Sequence, residues 1–230
     1  MLAITEILAR NPSPDLRAQL QPDWSNWMGI LGNVSDSQSR IFNRICRWHA
    51  GWGRHYHDLT HLAHFFSLHQ KHQLSWEQPS AFFASVFFHD AVYLPWRKDN
   101  EWRSAQLLSR YWEQLAGQRS GLHLAEQIIL STQRHQPLED HPDIPQFLDL
   151  DLAILASDPD RYDEYALAIR KEYWMIPDRV YLPGRQAVLA RFLDRPTLYF
   201  TAQFQHLWED RARENLVREI QQLKQKATRP

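Results

Sequence analysis

Glycine is scarce: the chain has seven in 230 residues, against ten tryptophans and eleven phenylalanines. Strand-and-hairpin folds spend glycine on tight turns, so the shortage argues for helix. Cysteine is nearly absent. The single Cys46 excludes an internal disulfide framework and suits a reducing compartment. Its setting, "IFNRICRW", assigns it to core packing. Neither sign of charge dominates, since 26 basic and 27 acidic side chains leave a formal net charge of -1. With no global positive field, nucleic acid is not an expected partner, and any polyanion would need a local patch. Long hydrophobic runs are missing too. The longest, "AFFASVFF", is far below the roughly 20 residues needed to cross a bilayer. "MLAITEILARNPSPD" turns polar early and lacks the basic start of a secretory leader. The expectation is a soluble, cytoplasmic protein with no membrane partner; a homo-oligomer is left open.

What is present is helical patterning. Apolar residues recur at spacings of three and four along almost the whole chain, and sustained alternation is absent. This predicts helices over 15–31, 36–51, 57–72, 79–91, 100–116, 122–135, 143–156, 159–173, 184–194 and 197–226. Breakers separate them: "SWEQPS", the proline-studded "HQPLEDHPDIP", and "LPGR", whose Pro-Gly pair is expected to force a turn. In "ASDPDRY", Asp158 can cap a helix that opens on Pro159. The closing helix carries Phe200, Phe204, Leu207, Trp208 and Leu216 on or near one face, as a helix packed on a core would. There is no internal repeat and no linker-like stretch. The expected fold is all-α, a single compact helical domain spanning 1–230, with its central part over about 50–156 and the helices of 157–230 completing it.

Twelve histidines is a high count. Most, including His49, His55, His64, His69, His72, His123, His141 and His206, read as surface or partly buried residues. Three segments stand out. In "RHYHDLTH", His57 and His61 lie four apart and project from one helical face. In "FFASVFFHDAVY", His89 and Asp90 end a helix that is apolar all round and therefore buried. A carboxylate there needs a partner, because an unpaired buried charge is expensive. In "QFLDLDLAIL", Asp149 and Asp151 interrupt an aliphatic helix, and at a spacing of two they cannot both face one way. Together these segments can offer two imidazoles and two carboxylates to one divalent cation, whose bound water would lose a proton near neutral pH. A mixed nitrogen and oxygen set of this kind suits Mn, Mg, Zn, Fe, Co or Ni and does not choose among them.

The order His, His-Asp, Asp on an all-helical chain resembles the HD superfamily of metal-dependent phosphohydrolases. "YHDLTH", "FFHDAVY", "DNEWRSA", "STQRH", "LDLDLAIL", "IRKEY" and "ENLVREIQQL" together resemble a bacterial family of predicted HD phosphohydrolases over about residues 25–225. "YHDLTH" is also similar to the segment of cyclic-nucleotide phosphodiesterases in which the second histidine binds metal and the first protonates the leaving oxygen. Those enzymes have Asn where this chain has Asp58. The resemblance implies His61, His89, Asp90 and Asp151 as metal ligands, with Asp151 matching the family pattern better than Asp149. It implies His57 as general acid, Asp90 as a second catalytic group that orients the nucleophile, and Glu101 as a contact to metal-bound water or a ligand histidine. Arg54, Asp58, His135, Arg170 and Arg185, with Arg134 beside them, become candidates for holding a small phosphorylated substrate. His135 is also a candidate for a second ion.

Three other readings compete. "HDLTH" can be taken as a variant of the zinc-protease pattern, which leaves "FFHDAVY" and "LDLDLAIL" unused. The same scaffold can carry a di-iron oxygenase site, or can sense a nucleotide without turning it over. Substrate identity is not legible, since it depends on pocket shape.

Overall fold

The computed structural model describes residues 13–32, 36–116 and 120–227. Among them are ten α-helices and no strand. No described helix is long and apolar enough to cross a membrane. The chain divides into two compact units, one running to Leu148 and the other starting at Asp149.

The first unit holds α1 (Pro14–Leu31), α2 (Asp36–His49), α3 (Leu59–Lys71), α4 (Pro79–Phe88), α5 (Asn100–Ala116), α6 (Leu122–Thr132) and the start of α7 (Asp143–Asp151). Every residue of α4 from Ala81 to Phe88 is buried, so the helix has no solvent face. It packs against α1, α3, α5 and α6. Phe87 meets Trp24, Trp27, Phe42 and Phe66 with ring centroids 5.2–6.4 Å apart, in the range of favourable aromatic pairs. Gly121 shows where the scarce glycines are spent. It caps α6 at φ +85°, and a Cβ there would lie 2.6 Å from Ser80 Oγ at the start of α4. Cys46 is fully buried, as its neighbours implied, and burial pushes its thiol up to about 11.

Asp23, on α1, is partly buried, and burial pushes its carboxyl up to about 6. An unfolded aspartate titrates near 3.9, so the folded chain holds this proton more tightly. Between about pH 4 and pH 6, stability from this site therefore falls as pH rises. At neutral pH the charge costs about 1–2 kcal/mol once solvent contact is discounted. Asp23→Asn should raise Tm by a few degrees at pH 7.5 and leave it unchanged at pH 4. An equal shift at both values would show that the carboxylate charge is not the cause.

The second unit holds the end of α7, a 3-10 turn (Ala153–Ala156), α8 (Pro159–Glu172), α9 (Asp178–Leu193) and α10 (Ala202–Ala227). Three boundaries differ from the sequence expectation, the first being the helix expected over 143–156, which ends at Asp151 and gives way to the 3-10 turn. Pro183 and Gly184 do not break the chain but lie inside α9. Proline removes the N–H that would bond the Arg179 carbonyl and costs helix stability. Tyr181, Leu182 and Leu189 are buried on either side of it and carry the helix through. At the other end, α10 begins at Ala202 rather than 197. Residues 198–201 are held as a turn, with Glu209 accepting from the Leu198 and Tyr199 amides at 2.9 and 3.3 Å. Phe204 and Leu216 are buried on α10 as expected, whereas Leu207 is half exposed.

The core of this unit contains an ion pair. Arg185 donates to both oxygens of Glu219, at 2.8 and 3.0 Å, and the Tyr162 hydroxyl donates to the same carboxylate at 2.6 Å. The two charged side chains are only 10% and 5% exposed. Arg170 is engaged as well, donating to Asp178 at 2.7 Å and to the Tyr173 and Ile176 carbonyls at the α8–α9 turn. These contacts give both arginines, expected as phosphate donors, structural partners within their own unit.

Candidate metal centre

The centre begins where α4 ends. His89 is the C-cap of that helix, and its amide donates to the Ser85 carbonyl at 2.9 Å. Its Nδ1 lies 3.1 Å from the carbonyls of both Ser85 and Val86. A carbonyl only accepts, so Nδ1 carries the proton and Nε2 presents a lone pair. The site also sits at the carbonyl end of the α4 dipole, which favours a cation.

His61 comes from α3, whose first turn is set by Asp58. That carboxylate caps the helix by accepting from the Thr60 amide at 2.8 Å, a role the sequence reading did not give it. His61 is buried between Tyr56 and Phe65, with centroids 5.0 and 5.2 Å away. Its Nε2 approaches His89 Nε2 to 3.1 Å. Asp90 Oδ2 lies 3.3 Å from His89 Nε2 and 3.9 Å from His61 Nε2. Burial alone would raise the Asp90 carboxyl, but the neighbouring rings of His89, His57 and His61 hold it well below the usual range.

Asp151, the last residue of α7, completes the group. His61, His89 and Asp151 each offer a ligand atom, all within 4.8 Å of one another. The question left between Asp149 and Asp151 has a physical answer. Asp149 is fully buried and accepts from the Phe200 amide, the Thr201 amide and the Thr201 hydroxyl at 2.7–2.8 Å. It is committed to the turn before α10. Two imidazole nitrogens and a carboxylate oxygen form a donor set that fits a first-row divalent ion.

Around the group, the His57 ring lies against Tyr93 at 4.2 Å. Arg54 Nη1 donates to the His57 carbonyl at 2.8 Å and Nη2 to the Ala91 carbonyl at 3.3 Å, joining the two histidine segments. Residues 92–94 are held from α5. Asn100 accepts from the Leu94 amide at 3.1 Å and donates to the Leu94 carbonyl at 2.9 Å. Ser104 Oγ accepts from the Val92 amide at 3.1 Å. This is the structural content of the "DNEWRSA" motif. Glu101 stands half-buried in the first turn of α5. His135, half-buried after α6, holds a positive φ of 47°. Arg134 beside it is exposed. Neither Glu101 nor His135 belongs to the metal-competent group found among the described residues. Trp96 and Trp102 are 60% and 53% exposed.

One residue of this region was misjudged from sequence. His49, expected at the surface or partly buried, is fully buried. Its Nδ1 lies 3.0 Å from the Ile45 carbonyl, and its Nε2 has no hydrogen-bond partner among the described residues. Burial and then the nearby Arg54 charge hold it neutral, well below the ordinary imidazole range. The signal was helical phase: Ile41, Phe42, Ile45, Cys46, Trp48 and His49 form one buried stripe.

Comparison of the chain with protein-family models, curated proteins and solved structures gave no significant match.

Proposed function

We propose that the chain is a metal-dependent phosphohydrolase acting on a small phosphorylated metabolite. The observation that carries this reading is the convergence of His61, His89 and Asp151, with Asp90 beside them. In it those residues hold a divalent ion, which supplies Lewis acidity by activating water and screening phosphoryl charge. His57, its ring held against Tyr93, protonates the leaving oxygen. The Asp90 carboxylate orients the attacking water. Arg54 acts as a positioning residue by tying the His57 segment to Ala91. The sequence resemblance to HD phosphohydrolases supports the same assignment.

The test is a panel of phosphomonoesters, phosphodiesters and nucleotides run with Mn, Mg, Co, Ni and Zn, beside elemental analysis. Phosphate release is expected with at least one metal, lost on chelation and lost in Asp151→Ala. Nucleotide binding with no turnover under any metal would overturn the hydrolase in favour of a sensing module. An iron-dependent optical spectrum without hydrolysis would favour an oxygenase.

A further inference from the structure

The first unit has a polar groove that the centre above does not use. A groove of about 680 Å³ is lined by Arg17 of α1, by Arg40, Asn43, Arg44 and Arg47 of α2, and by Tyr111 of α5. Among the described residues that line it there is no carboxylate. The four arginines are exposed, in a chain whose overall charge is -1. Three of them recur at spacings of four and three on the polar face of α2, whose opposite face buries Ile45, Trp48 and His49. Two of the guanidiniums are also oriented. Arg44 donates to the Tyr111 hydroxyl at 2.6 Å, and Arg17 donates to Asn43 Oδ1.

We propose that this groove binds a small anion bearing two or more phosphoryl groups. Guanidinium is the side chain best matched to phosphate, offering paired donors and a permanent charge. Along α2 the three arginines rise by about 6 and 4.5 Å, a span that serves consecutive phosphoryl groups better than a single one. The volume is that of a small-molecule site, and four cations in a pocket of that size do not make a track for a nucleic-acid backbone. The site is independent of the metal centre and does not rest on the hydrolase reading.

The experiment is calorimetric titration of the chelator-treated full chain with tripolyphosphate, orthophosphate, ATP and a twelve-nucleotide RNA. Tripolyphosphate is expected to bind with one-to-one stoichiometry and at least tenfold more tightly than orthophosphate. Arg40→Gln with Arg47→Gln should weaken it at least tenfold with no change in thermal melting. Arg191→Gln, an exposed control in the second unit, should leave it unchanged. ATP equal to tripolyphosphate would assign recognition to phosphate alone, and tighter ATP would add a base contact. Both outcomes support the site. Binding lost on chelation, or unmoved by the double substitution, would belong elsewhere and overturn it. RNA binding that tripolyphosphate does not displace would overturn it as well.

Discussion

His89→Ala is expected to lower divalent-cation affinity by roughly a hundredfold or more, since even outer partners of a metal ligand are worth about 10–100-fold. Under the proposed hydrolase reading, phosphate release should fall about a thousandfold, equivalent to ~4 kcal/mol of lost transition-state stabilisation. The reason is local. Nδ1 of this ring is spent on the Ser85 and Val86 carbonyls, so the ring's ligand lone pair is on Nε2, 3.1 Å from His61 Nε2 and 3.3 Å from Asp90 Oδ2. Alanine removes that donor and leaves the other groups where they are. Thermal melting offers a readout that needs no substrate. A ligand that binds only the folded chain stabilises it by an amount set by its concentration over Kd. Added Mn or Zn should raise the Tm of the parent chain and leave His89→Ala where it was. A variant that keeps the full metal-induced shift would remove His89 from the ligand set.

The second large effect lies in the other unit and concerns folding alone. Glu219→Ala strands Arg185, which is nearly inaccessible to water, and takes the acceptor from the Tyr162 hydroxyl. Removing one partner of a buried pair typically costs about 3–5 kcal/mol, because the remaining charge has neither solvent nor counter-ion. Urea denaturation should show a loss of this size. Replacing both partners together, Arg185→Met with Glu219→Leu, should recover most of it, since desolvation of the charges then disappears from both sides of the comparison. A loss below about 1 kcal/mol in the single variant would mean that water reaches the guanidinium after all.

The helices were legible because their apolar residues keep a strict three-to-four spacing, and α4 stood out because it has no polar face. His61 and His89 could be picked from the same pattern, being polar residues at positions that burial demanded. Asp149 and Asp151 could not be told apart by spacing, since the difference lies in what each carboxylate meets. The Phe200 and Thr201 amides that claim Asp149 are some fifty residues distant along the chain. Arg170 and Arg185 looked like anion binders for the same reason: an arginine shows its charge in the sequence, and its carboxylate partner only in the fold. Pro183 misled because the rule that proline breaks a helix is local, while burial of Tyr181, Leu182 and Leu189 is not. The basic groove was invisible as a composition signal, because acids elsewhere cancel its charge in the total.

The grip that Asn100 and Ser104 keep on residues 92–94 bears on how the molecule breathes. Val92 and Leu94 have given their amide protons to side chains on the opening turns of α5, so these protons reach solvent only when those turns let go. Fraying of one helix end and loosening of the segment after Asp90 then become a single event, and the rigidity of the His-Asp corner is borrowed from a helix that contributes no imidazole to it.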